Sequence, residues 1–310
     1  MPLFVDGVSL EDFKAGEALY ENALKNEGLV ARTSALASAP VKEFPEGSPI
    51  LYAGEKEVST AVPSTSRFEW VGTDDGTTCV MVAIWQKGSP SYSGIAHIDS
   101  EESAASLEEK LITPLVSASK SDEGIEVIIA GGCWSPGFPE TCNASFKMVS
   151  FVLECLNKAK VKLHLRTLLV LKDNPAKGLP LCMGLALNTR TGEARRAHCV
   201  THGPLFPVRY LYLLSAPSKS SVFSIYDAQK DLYAIPPPSN FNLISANSAA
   251  GIMMTPDEKL FSFSTSPECE TPRFAFDTKS AAAIVLARNI NSYFPDGKTA
   301  YYDEKGNRVN

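Results

Sequence analysis

The apolar run Cys79-Val-Met-Val-Ala-Ile-Trp85 has the length and the β-branched and aromatic content of a strand buried on both faces. Gly88-Ser-Pro-Ser91 breaks it with a turn, and Ser93–Ile98 resumes as a second strand. An antiparallel pair closed by a turn near Lys87–Tyr92 brings Cys79, at the start of one strand, beside His97, near the end of the other. A slip of one residue in that register would turn one of the two side chains to the opposite face. Upstream, Phe68–Val71 predicts a strand that enters a polar turn at Gly72–Gly76.

Elsewhere the pattern moves between helical and strand periods. Residues 10–27 carry Leu10, Phe13, Leu19, Ala23 and Leu24 at helical spacing, with Gly28 as the stop. Ser100 caps a helix that opens with Glu101 and Glu102, and Pro114 kinks or ends it. Residues 143–160 and 279–294 predict two further helices. Strands are predicted at Ile50–Tyr52, Ile125–Ala130, Val161–Leu171, Leu181–Leu187, Val222–Tyr226 and Leu232–Ile235, with a hairpin turn at Asn188–Gly192 and a final hairpin from Ala300. Glu57–Arg67, rich in Ser, Thr and Pro, reads as loop. No repeat and no long linker divides the chain, so residues 1–310 are expected to form one domain. Strands mixed with helices, without regular alternation, predict an α+β fold.

Composition narrows the function without naming it. The 35 acidic and 29 basic residues leave a net charge of -6, and no basic block suits a nucleic acid. Seven cysteines, an odd number with no CxxC pair, do not form a disulfide framework and point to a reducing compartment. The N-terminal segment lacks the signal-peptide pattern, and no stretch reaches the ~18 apolar residues of a membrane span. The expectation is a monomeric cytoplasmic or nuclear protein with neither membrane nor nucleic acid as a partner.

A cysteine that follows a turn of Gly, Thr and Asp is placed for nucleophilic attack. Turn amides can stabilise an oxyanion, and an imidazole can take the thiol proton. Of His97, His164, His198 and His202, His97 is the one in a segment expected to pair with the Cys79 strand. The competing reading is a core cysteine and a structural histidine, which spacing alone favours. His198-Cys199-x-x-His202 has the spacing of a metal pair, but Gly203-Pro204 argues against a helix and no fourth ligand is evident, so no metal is expected. Gly131-Gly132 lacks the rest of a dinucleotide fingerprint, and no cofactor is expected. Asp74-Asp75 reads as a solvated turn pair or as a site for a cationic group of a substrate.

Gly72-Thr-Asp-Asp-Gly-Thr-Thr-Cys79, followed by Ala96-His-Ile-Asp99, resembles the core of the eukaryotic protein N-terminal asparagine amidohydrolases. Met1-Pro-Leu-Phe-Val-Asp-Gly7, Leu51-Tyr52, Ile125–Gly132, Ser224-Ile-Tyr-Asp-Ala228 and Ser264-Thr-Ser-Pro267 extend the match in the same order. The resemblance implies an α-β-β sandwich of the toxin-type and YfiH-like cysteine hydrolases and a Cys-His-Ser catalytic group. Its members would be Cys79, His97 and a serine, for which Ser266 is favoured over Ser264 and Ser224. It further implies protein or peptide substrates with a free N-terminal Asn, converted to Asp and ammonia ahead of arginylation and degradation. Asp74, Asp75 and Glu270 are candidates to meet the substrate ammonium, Thr78 to serve the oxyanion, and Ser264 to contact substrate. Residues 133–142 depart from the family pattern. A glutamine deamidase, a peptidase with the same Cys-His pair and a non-catalytic binding module are the competing functions.

Overall fold

The computed structural model describes residues 3–62, 66–86, 88, 92–119, 124–133, 144–171, 183–215, 221–237, 245–264, 267, 270, 272–287 and 290–309. In chain order the strands are β1 (Leu3–Val5), β2 (Val8–Ser9), β3 (Lys42–Phe44), β4 (Ile50–Tyr52), β5 (Glu57–Ala61), β6 (Trp70–Gly76), β7 (Val80–Gln86), β8 (Tyr92–Ile98) and β9 (Ile125–Cys133). They continue as β10 (Leu163–Leu171), β11 (Met183–Asn188), β12 (Ala194–Cys199), β13 (Phe223–Ser224), β14 (Tyr226–Asp227), β15 (Leu232–Ile235), β16 (Ala300–Tyr302) and β17 (Arg308–Val309). The helices are α1 (Gly16–Ala23), α2 (Glu27–Ser38), α3 (Glu101–Ala105), α4 (Thr113–Ser119), α5 (Ala144–Asn157), α6 (Phe206–Ser215), α7 (Ala246–Met254), α8 (Asp257–Leu260), α9 (Pro272–Leu286) and α10 (Ile290–Tyr293). This is the mixed α+β architecture that the pattern predicts.

An eight-stranded sheet, ordered β13-β5-β8-β7-β9-β10-β1-β2, holds the centre. Strand alternation divides its side chains between two cores. Val80, Val82 and Ile84 of β7, with Ile125, Val127 and Ile129 of β9, pack beneath α1, α3, α4 and α5. Met81, Ala83 and Trp85, with Ile128 and Ala130, face the other way onto Leu51, Val71, Leu185 and Leu187. Those last four belong to a five-stranded sheet, β3-β12-β11-β6-β4. The order through this part of the molecule is therefore helices, large sheet, small sheet. The runs that look continuously apolar in sequence are the strands covered on both faces.

The β7–β8 pair forms in the register that the sequence requires. Met81 lies opposite His97 and Val80 opposite Ile98, so Cys79, two residues before Met81, and His97 share the face toward the small sheet.

Several expectations need correction. Gly72–Gly76 is no turn but most of β6, held between β4 and β11, because two ladders outweigh the weak strand propensity of Gly and Asp. Asp74 and Asp75 together oppose Gly184, a β-bulge in which Asp75 takes φ 57. Gly184 is required there, since a Cβ would meet the Ala197 carbonyl oxygen at 2.1 Å and Asp74 Cβ at 2.7 Å. Glu57–Ala61, read as loop, is β5, paired with β8 on one side and β13 on the other. The helix expected over 10–27 is two helices. Gly28 lies inside the second one, whose N-cap Asn26 accepts from Leu29 N at 2.7 Å. The last long helix begins at Pro272, a residue suited to the first helical turn, rather than at 279. The helix predicted after Ser100 passes from α3 through a π-helical turn at Glu108–Ile112 into α4, with Pro114 near the start of α4.

The glycine pair that ends β9 has a structural role. Gly131 takes φ +106, and Gly132 N donates to the Cys79 carbonyl at 2.8 Å. A Cβ on Gly131 would sit 2.4 Å from that same oxygen, so glycine alone lets β9 hug the chain at Cys79. Gly131→Ala is expected to lower unfolding free energy in urea by about 2 kcal/mol or more. Gly7→Ala, at φ +83 with nothing within 4 Å of the added Cβ, is the control for backbone strain alone and should cost less.

Candidate active site

Cys79 and His97 open into one cavity of about 480 Å³, together with Tyr52, Glu55, Thr77, Glu270 and Arg273 among others. The cavity lies where β6 leaves the small sheet and the chain crosses to β7 of the large one. Strand pairing positions His97 on β8, and the Gly131–Gly132 contact fixes the backbone at Cys79.

The imidazole of His97 is 3% exposed, and its two nitrogens differ. Nδ1 lies 2.7 Å from Thr73 Oγ1, a fully buried hydroxyl on β6 that reaches across from the small sheet. Nε2 is buried and has no hydrogen-bond partner among the described residues. Burial pushes His97 down to about 4, against the opposing pull of Asp99, so the ring is neutral near neutral pH. The Cys79 thiol is pushed well above its usual range, first by burial and then by the charges of Glu55 and Asp99. The resting pair is a neutral thiol and a neutral imidazole, with one ring nitrogen held and the other open. That arrangement suits a base that takes the thiol proton as attack occurs, rather than a preformed thiolate.

Of the other residues expected at the site, Ser266 lies outside the described residues. Among the described residues, the hydroxyl that reaches His97 is that of Thr73, a residue inside the motif that its sequence neighbours do not single out. Ser264 lines the cavity and its hydroxyl donates to Glu270 Oε1. Ser224 lies apart, in a different pocket, and donates to Tyr226 O at 3.3 Å. Thr77 lines the cavity, while the Thr78 carbonyl lies 3.5 Å from Ser145 Oγ. Among the described residues, no acceptor takes the backbone amides of Thr78 or Cys79.

Asp74 is not a solvated turn residue. It is 3% exposed, on the opposite face of β6 from Thr73, where the Cys199 amide donates to Oδ2. Burial, then the charge of Asp75, pushes it up to about 7. Asp75 is exposed, as the bulge would place it. The two histidines singled out as a metal pair separate. His198 stays largely exposed with Nδ1 3.6 Å from Asp74, whereas His202 is buried and stacks on Tyr52 at 4.2 Å. The ligand atoms of Asp74, Asp75 and His202 lie within 4.8 Å of one another. Arg273 already brings positive charge there, with Nη2 3.4 Å from His202 Nδ1 and Nε 2.9 Å from Asp277. Burial and the two arginines Arg273 and Arg209 push His202 down to about 3.

A sequence model of the protein N-terminal asparagine amidohydrolase family matches residues 40–309. The chain belongs to that family. Protein N-terminal asparagine amidohydrolase of Mus musculus is 26% identical over 313 residues, covering 97% of this chain and 95% of its own length. The Sus scrofa protein of the same name is 25% identical, covering 97% and 94%. The Arabidopsis thaliana one is 26% identical, covering 88% of each. Both the motif strand β6 and the Cys79–His97 pair fall within the matched region. No helix among the described residues is long and apolar enough to cross a membrane.

Because alkylation follows thiolate concentration, the raised thiol has a direct signature. Carbamidomethylation of Cys79, followed by peptide mass spectrometry, should run about tenfold or more slower at neutral pH than in the unfolded chain. Its rate should still be rising above about pH 9, and a plateau near pH 6 would contradict a neutral resting pair.

Proposed function

We propose that this chain hydrolyses the side-chain amide of an N-terminal asparagine in proteins and peptides, giving N-terminal aspartate and ammonia, with Cys79 as nucleophile and His97 as base. The observation that carries the reading is a single one. In a chain of this family, Cys79 shares a cavity with a neutral histidine whose Nδ1 is held by Thr73 and whose buried Nε2 has no partner among the described residues.

Cys79 Sγ attacks the amide carbon while His97 Nε2 takes the thiol proton. The amides of Thr78 and Cys79, which have no acceptor among the described residues, supply donors for the oxyanion. Collapse breaks the carbon–nitrogen bond, and His97 returns the proton to the departing ammonia. Water then attacks the thioester with His97 again as base, freeing aspartate and restoring the thiol. In this reading the third place of the catalytic group, for which the resemblance favours Ser266, is served by Thr73, whose hydroxyl lies 2.7 Å from His97 Nδ1. Its hydroxyl accepts from Nδ1–H and so keeps the Nε2 lone pair toward the cavity. The succession of helices, large sheet and small sheet fits the α-β-β sandwich of the toxin-type and YfiH-like cysteine hydrolases. In this reading the chain acts as one domain and as a monomer, in the cytoplasm and nucleus, where its product is a secondary degradation signal.

Incubation with Asn- and Gln-initiated peptides, read by mass spectrometry and ammonia release, tests the class. The expected result is amide-to-acid conversion of the Asn peptide, lost by about a thousandfold or more in Cys79→Ala and His97→Ala. Cleavage of the first peptide bond without ammonia, or conversion of the Gln peptide alone, would sink it. For the third group, Thr73→Val should lower kcat about 10- to 100-fold with little change in KM, while Thr73→Ser stays within about threefold.

A further inference from the structure

Six carboxylates among the described residues line the cavity: Glu55, Glu57, Asp74, Asp75, Glu270 and Asp277. Four are committed. Glu57 is bound by Arg209 and the Gly54 amide, Asp74 by the Cys199 amide, Glu270 by Ser264, and Asp277 by Arg273. Asp75 is exposed on the bulge. Glu55 is the exception: recessed in the cavity, it has neither hydrogen bond nor ion pair among the described residues.

Glu55 is also held in place. It lies on the short crossing from β4 of the small sheet to β5 of the large one. Arg209 grips one side of that crossing, donating to Tyr52 O at 3.1 Å and to Glu57. On the other side Lys56 N donates to His97 O at 3.1 Å, so the loop is tied to the strand of the catalytic histidine. Lys56 itself takes φ 62, and its ammonium lies 3.3 Å from Asp99 Oδ2. A left-handed non-glycine residue stores about 1–3 kcal/mol of strain, and such strain collects at functional sites.

We propose that Glu55 is the carboxylate that receives the α-ammonium of the substrate's first residue and sets its distance from the Cys79 sulfur. The assignment rests on the amidohydrolase reading above. In asparagine the ammonium and the amide carbon are separated by three covalent bonds. A carboxylate anchored near the thiol can therefore engage one end while the sulfur attacks the other. Glutamine moves its amide carbon one methylene farther from the fixed ammonium. Packing alone discriminates a methylene by ~10–200-fold, and a rigid anchor adds misplacement of the reacting carbon to that. Burial, reinforced by Asp99 and Glu270 and opposed by Lys56, pushes Glu55 up to about 7, so the vacant carboxylate is partly protonated near neutrality. The groups that face it are Cys79, Asp99, Lys56, Glu270 and Tyr210. An arriving ammonium would return it to the charged form and release its proton.

The experiment compares an Asn-initiated peptide with its desamino analogue, which keeps the amide and lacks only the amine, on wild type, Glu55→Gln and Glu55→Asp. Rates are normalised to folded protein from each variant's thermal unfolding. Wild type should prefer the free amine by about 100-fold, and Glu55→Gln should bring that preference below about fivefold, chiefly by raising KM. Glu55→Asp should recover about tenfold over Glu55→Gln. In calorimetry at about pH 6, where a free α-amine is already protonated, the Asn peptide binding to Cys79→Ala should release protons, seen as an enthalpy that changes with buffer. That release should vanish when Glu55→Gln is added. Equal losses on both peptides, or an undiminished proton release, would overturn the role of Glu55 while leaving the amidohydrolase reading intact. Failure of wild type to convert the Asn peptide would overturn that reading itself.

Discussion

The site depends on a polar contact set in a largely apolar interface, the hydrogen bond between Thr73 of the small sheet and His97 of the large one. Met81, Ala83, Ile95 and Ala130 on one sheet meet Leu51, Val71 and Leu185 on the other, and this packing excludes water. In such a place an imidazole without a partner is costly, so the Thr73 hydroxyl both satisfies Nδ1 and orients the ring. Burial then keeps the ring neutral. The same packing that stabilises the two sheets thus sets the protonation state that the proposed chemistry requires.

Burial acts on the whole cavity, but unevenly. Near Cys79 it raises a thiol and a carboxylate, Glu55, that have no cation bonded to them among the described residues. Farther along, Arg273 and Asp277 surround His202, and Arg209 holds Glu57 with no exposure of its own side chain. A buried pair of this kind is weak evidence for stability, though removing one partner commonly costs about 3–5 kcal/mol. Its clearer consequence is geometric: Arg209 also donates to His202 O and Tyr52 O, so one guanidinium fixes two segments of the cavity wall. Asp99 is paired with Lys56, but Glu55 has no such partner among the described residues, which makes that end of the cavity receptive to a cation.

Much of this was legible in the sequence where burial and periodicity agree. The apolar run after Cys79, the turn near Gly88 and the strand carrying His97 fixed a register in which the two residues share a face. Other parts were hidden for definable reasons. β6 is built from Gly, Thr and Asp, whose local preference is for turns, and only pairing on both sides with β4 and β11 makes it a strand. Asp74 and Asp75, adjacent and chemically alike, part company at a bulge that no periodicity announces: one is buried, the other exposed. Thr73 was in view inside the motif, but its role appears only when two sheets are stacked. Glu55-Lys-Glu57 carries no motif that singles it out. Its burial follows from the chain crossing between sheets there, a tertiary fact with no local signature.

Gly131-Gly132 illustrates how one sequence feature can belong to a different function from the one it first suggests. As a pair after a strand it invites comparison with a nucleotide-binding turn, yet the rest of that pattern is missing. In the fold, positive φ at both residues and the missing Cβ of Gly131 let β9 approach the Cys79 carbonyl closely, and Gly132 N bonds to it. The nucleophile needs a fixed backbone because its attack distance tolerates little error. Cys79 lies just before β7, outside the regular ladder, where strand pairing alone would leave it loose. The glycine pair extends the grip of the sheet by one residue, to the position where chemistry requires it.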